Sequence, residues 1–162
     1  MSLEPRTAEY RDLIDAGARI AGLPRWHYRG EEHAPGEWLE GLILGESRGN
    51  PRARRYEPHQ DRVGRRDAPS DADTAGTDDG DIEDDASYGL MQVMGYNARH
   101  YVGAGPGAPL HFGWLYRPMA NVACGLWVLL TELRSVYNLH PHAPDAERIV
   151  RALARYNGGP TG

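Results

Sequence analysis

The chain has one cysteine among its 162 residues, Cys124, so it can form no intramolecular disulfide and shows no paired-cysteine metal pattern. Its place in an apolar run favours a buried structural thiol over a reactive one. Nowhere do about eighteen apolar residues follow one another, so no membrane span is expected. The opening "MSLEPRTAEYRDLIDAG" is charged throughout and lacks an apolar core, so no signal peptide is read from it. A basic excess is missing as well. The formal net charge of -5 argues against a protein that binds nucleic acid by neutralising phosphates. No internal repeat is visible.

What is present suits one ordinary globular domain, with 40% hydrophobic and 25% charged residues. The charge is unevenly spread. Residues 52–66 are rich in arginine, while residues 67–85 hold nine acids and no base. Without that run the chain is mildly basic, which suits a polyanionic or cell-surface substrate. The stretch 62–86 reads as a solvated, flexible acidic insertion, since it lacks the apolar area needed to offset ordering entropy. A calcium loop is the sharper alternative there, because Asp71, Asp73 and Gly76 match three positions of the EF-hand template. Ala75 and Ile82 stand where that template needs ligands, so the match fails.

Hydrophobic spacing places four main helices. Thr7 caps one that runs to about Ala21, with Tyr10, Leu13, Ile14, Gly17, Ile20 and Ala21 facing inward. "GLPRWHYRGEEHAPGEW" is read as loop from its glycine and proline, so residues 1–36 form an N-terminal helix and loop. A second helix starts near Pro35 or Gly36 and ends just after Glu46. "SYGLMQVM" is a short apolar or β-like segment, followed by a short helix from Gly95 to Val102. The most hydrophobic helix begins near Arg117, with Val122, Leu126, Leu129, Leu133 and Val136 as its stripe and Trp127 and Leu130 widening it. A last helix starts at Asp145, turns Ala146, Ile149, Val150 and Leu153 inward, and stops at Gly158 and Gly159. The fold class is α+β, predominantly α-helical, in a single unit spanning residues 1–162.

Three places could carry chemistry. Leu39, Leu42, Ile43 and Glu46 follow i, i+3, i+4, i+7, so an acid closes an otherwise apolar stripe just before Gly49, Asn50 and Pro51 break the helix. Partial desolvation there would raise the carboxyl pKa, as a general acid requires. The plainer alternative is a helix-end glutamate turned to solvent or paired with Arg48 or Arg52. Gln92 puts an amide among apolar residues, either as a bridge to backbone or as a groove-lining group that recognises a polar ligand. Tyr156, Asn157 and Gly158 are either an ordinary aromatic and helix stop or part of a site.

Together and in order, "ESRGNP" at 46–51, "SYGLMQV" at 87–93 and "ALARYNGG" at 152–159 closely resemble the soluble lytic transglycosylase family, whose lysozyme-like domain cleaves peptidoglycan. "NVACGLWVLLTEL" at 121–133 resembles that family's central helix. The resemblance implies a lysozyme-like fold and a role for each matching residue. Glu46 corresponds to the catalytic acid and base, and Ser47 to the serine beside it. Met91 and Gln92 correspond to a cleft-lining pair, and Tyr156 and Asn157 to a pair near the catalytic carboxyl. Gly89, Gly158 and Gly159 fit the tight backbone of these motifs.

Most glycosidases use two carboxylates, and the motifs here offer one. The resemblance implies an intramolecular reaction instead, in which the N-acetylmuramic acid 6-hydroxyl attacks C1 and leaves a 1,6-anhydro end. It implies peptidoglycan strands as partner and no metal or organic cofactor; a monomer is expected. A lysozyme-like hydrolase and a non-catalytic glycan-binding virion or secretion module are the alternatives. Action on the cell wall without a signal peptide implies delivery by a phage virion, by lysis or by a secretion apparatus.

Overall fold

Helix α1, Arg11–Ile20, follows one 3-10 turn at Ala8–Tyr10 in a computed structural model that describes residues 7–56, 86–104 and 110–158. Thr7 does not cap it through its side chain. Its hydroxyl donates instead to Glu40 Oε1 at 2.5 Å, tying the entry of α1 to the next helix. Ile14 and Ala18 are buried, whereas Ile20 is 86% exposed, so the expected inner face is rotated by part of a turn. The partner fixes that rotation. Gly17 lies against Val122 and Leu126 of the central helix, and an added Cβ there would stand 3.0 Å from Leu126 Cδ1.

The segment expected to be loop contains a β-hairpin. Strands β1, Trp26–Tyr28, and β2, Glu31–His33, pair antiparallel with Trp26 opposite His33. Arg29 and Gly30 both take positive φ, 50° and 83°, the two-residue turn that matches the twist of short hairpins. Helix α2 then runs Pro35–Ser47. Proline at its first position and a Glu37 carboxylate that accepts the Ala34 N–H at 2.8 Å organise its start.

A three-stranded antiparallel sheet follows, ordered β3 (Arg54–Tyr56), β4 (Ala86–Tyr88) and β5 (Val93–Met94). Strand β4 is buried along its whole length, which explains an apolar run too short to show a period. Residues 57–85 lie outside the described residues, and the calcium alternative and nearly all of the acidic insertion fall there. Only Ala86, the last position of that insertion, is described, and it opens β4.

Helices α3 (Gly95–Tyr101), α4 (Pro118–Leu139) and α5 (Asp145–Gly158) complete the chain. Helix α4 is central, burying Asn121, Val122, Cys124, Gly125, Leu126, Val128, Leu129, Leu133 and Val136. Trp127 does not widen its stripe. It is 39% exposed and meets Tyr101 edge-on at 5.8 Å, because Cys124 and Val128 take the inner positions instead. On α5, Val150 is likewise turned out, and Ile149, Ala152, Leu153 and Tyr156 make the inner face at i, i+3, i+4 and i+7. A half-buried Arg155–Glu132 ion pair at 2.6 Å holds α5 against α4. The protein is thus a mainly helical α+β structure with a small antiparallel sheet beside its central helix.

Candidate active site

Glu46 is the last residue but one of α2, half-buried, at the point where the helix is made to stop. Arg48 closes the helix in the left-handed region with φ 55°, a conformation costing a non-glycine residue about 1 kcal/mol, and Gly49 continues it at φ 72°. The Asn50 side chain then accepts the Arg52 N–H at 3.0 Å, so the chain turns within six residues of Glu46. Ser47 is buried beside the acid, and its hydroxyl donates back to the Ile43 carbonyl at 3.2 Å.

That turn docks directly on the second motif. The Ala53 carbonyl, two residues past "ESRGNP", accepts the Gly89 N–H at 2.8 Å and so ties that stretch to the start of "GLMQ". Gly89 has φ 73°, and a Cβ there would collide with Asn121 and the Leu115 carbonyl, so no other residue fits. The turn from Gly89 to Gln92 is held by several hydrogen bonds. Asn121, fully buried on α4, accepts the Met91 N–H at 2.8 Å and donates to the Tyr88 carbonyl at 2.7 Å. The Gln92 amide donates to the Gly89 carbonyl at 3.0 Å and accepts the Ser87 hydroxyl at 2.9 Å. Met91 is fully buried, and an added Cβ at Gly125 would stand 2.5 Å from its sulfur. The side chains of Met91 and Gln92 are therefore engaged in holding the turn.

The third motif closes on the other two. Tyr156 donates its hydroxyl to the Met91 carbonyl at 2.7 Å. Burial, the nearby Glu46 charge and then Cys124 push its phenol well above the usual range, so it stays a protonated donor. Asn157, one residue on, faces a cavity of about 540 Å³ that Glu46 also lines. The remaining walls are Trp26 and His33 of the hairpin, Leu153 of α5, and Glu37, Trp38, Gly41, Leu42 and Gly45 of α2.

Of the sequence-nominated residues, Glu46 and Asn157 share this groove, and Tyr156 bonds the GLMQ turn while feeling the charge of Glu46. Ser47, Met91, Gln92 and Gly89 form the packed support beneath. Gly158 ends α5, and Gly159 lies outside the described residues. Asn121 and the groove residues Trp26, His33 and Glu37 escaped the sequence reading. A polar side chain opening the apolar run of α4 was the available signal for Asn121. Nothing in the pattern of a three-residue strand marked the hairpin.

Three motifs distant in sequence thus meet around one half-buried carboxyl at the mouth of a groove. The profile of the transglycosylase SLT domain matches residues 28–162. The chain belongs to the lysozyme-like lytic transglycosylase family. No curated protein and no solved structure matches it. The match to the transglycosylase domain takes in every motif described above and begins within β1, just past Trp26. Peptidoglycan is the substrate the domain implies. Among the described residues no helix is long and apolar enough to cross a membrane, and no group of His, Cys, Asp or Glu is arranged to hold a metal ion.

Proposed function

We propose that this chain is a peptidoglycan lytic transglycosylase, a single lysozyme-like unit in which Glu46 serves alone as general acid and base. The observation that carries the reading is the half-buried Glu46 carboxyl opening on the groove, beside Tyr156 and Asn157. Among the described residues Glu37 is the other carboxylate lining that groove, nine residues earlier on the same helix. At 1.5 Å per residue their backbones are offset by about 13.5 Å along the axis, two and a half turns apart, whereas paired-carboxylate mechanisms need carboxyls about 5 to 9.5 Å apart. Glu37 therefore suits neither nucleophile nor water-activating base.

In this reading Glu46 protonates the glycosidic oxygen as the bond from C1 of N-acetylmuramic acid breaks. The 6-hydroxyl of the same sugar bonds to C1 and returns its proton to the Glu46 carboxylate. One bond forms, one breaks, and no water is consumed. The nucleophile is already held by the substrate, which lowers the entropic barrier. The Tyr156 phenol, kept protonated beside Glu46, adds no competing negative charge.

Mass spectrometry of fragments from purified peptidoglycan tests this. Products lacking one water relative to reducing-end fragments are expected; reducing ends alone would replace transglycosylation with hydrolysis. Glu46→Gln should slow release by about 10²–10⁴-fold with an unchanged melting temperature. Equal clearing of walls by wild type and Glu46→Gln would remove Glu46 from the mechanism.

A further inference from the structure

The groove does not end at Glu46. It follows α2 back for two and a half turns along Glu46, Gly45, Leu42, Gly41, Trp38 and Glu37, which lie on one helix face. The hairpin closes its far end. Trp38 Nε1 donates to the Pro24 carbonyl at 3.0 Å and so anchors the hairpin's approach to the helix. Trp26 and His33 face each other with ring centroids 6.3 Å apart, and His33 Nδ1 lies 3.8 Å from Glu37 Oε2. Between the two ends Gly41 and Gly45 are exposed, and an added Cβ at either meets nothing within 4 Å. Packing therefore requires neither glycine, and both leave the floor clear.

The charge of this end is one-sided. Among the described residues no lysine or arginine lines the groove, while Glu37 is largely exposed, with 65% of its side chain accessible. Among the described residues, both contacts of Glu37, with the Ala34 N–H and with His33, use Oε2, and Oε1 is the oxygen offered to a ligand. A carboxylate beside indole rings favours a primary ammonium, through a charge-assisted hydrogen bond and cation–π attraction. A carboxylate is repelled there, and a neutral sugar hydroxyl can donate to Glu37 but lacks the ion-pair and cation–π attraction an ammonium adds.

We infer that the hairpin end of the α2 groove is a subsite for a primary ammonium group on the peptide stem of the wall glycan, with Glu37 as its counter-ion. The inference rests on the reading of the groove as a glycan-cleaving site. Free stem amines exist where no cross-link has formed, so the subsite directs cleavage toward uncross-linked strands.

The test compares solubilised, uncross-linked glycan strands before and after N-acetylation of their stem amines, with wild type and Glu37→Gln. Wild type should show a KM about tenfold lower on the free-amine strands, the size of one good charged hydrogen bond. In Glu37→Gln the ratio of the two KM values should fall close to one. If Glu37 serves only as the cap of α2, the variant lowers the melting temperature and changes both substrates alike. The wild-type ratio then survives, which overturns the inference. Equal KM values in wild type overturn it too, while leaving transglycosylation intact. No cleavage of either substrate by wild type removes the functional reading itself, and this subsite with it.

Discussion

Helices α2 and α4 both carry glycine in their interiors, where each costs about 0.5–1 kcal/mol relative to alanine. On α4, Gly125 is buried against Met91, and its missing side chain is what lets the GLMQ turn settle on the central helix. On α2, Gly41 and Gly45 face open space in a groove that leads to Glu46. One glycine makes room for protein, the other two leave room for something else. The absence of a Cβ is the same; the neighbours decide what it does.

The support beneath the site should be the costlier part to break. Asn121→Ala strips partners from the Met91 N–H and the Tyr88 carbonyl, both buried, and should destabilise by about 3 kcal/mol with loss of activity, read by denaturant unfolding. Gly125→Ala should cost about 1–3 kcal/mol by overpacking against Met91. Tyr156→Phe should cost about 1 kcal/mol and lower kcat, since one hydrogen bond to the Met91 carbonyl is lost beside Glu46. Gly41→Ala is the opposite case. It should stabilise the protein by about 0.5–1 kcal/mol while raising KM, and a destabilised Gly41→Ala would erase the contrast between the two helices.

A pH titration sharpens the same boundary between packed and open regions. Burial pushes the Cys124 thiol from the ordinary 9.0 up to about 12. The folded value lies above the unfolded one, so this contribution is complete below about pH 9 and is lost as pH rises toward 12. The slope from this group is about 1.4 kcal/mol per pH unit. Cys124→Ala should flatten that part of the alkaline unfolding curve, whereas Gly41→Ala should leave it unchanged.

Much of the frame was legible because it rests on local rules. Proline at the start of α2 and Gly49 after its end bracket that helix to within a residue, and Gly89 marks a turn that only glycine can make. The errors sit where a neighbour chooses among equivalent local options. Ile20 and Val150 are apolar residues on the flanks of their stripes, and the angle at which α1 and α5 meet α4 leaves them outside. The hairpin escaped notice because three residues per strand are too few for a period, and Arg29–Gly30 is a weaker turn signal than Asn–Gly. Gln92 remained ambiguous because its bonding partners, Ser87 and Gly89, are set by the turn itself.

The sequence by itself determined the helices, the stop after Glu46, the glycine at position 89 and the three ordered motifs, since each depends on residues within a few positions of one another. It could place an acid at the end of an apolar stripe but not say what that acid faces. Only the tertiary structure decided that Tyr156 bonds the Met91 carbonyl across the fold, that Asn121 locks the turn from below, and that the hairpin walls a groove two and a half turns long. Those outcomes depend on how helices and strands distant in sequence approach each other. Packing sets that approach, and no local pattern encodes it.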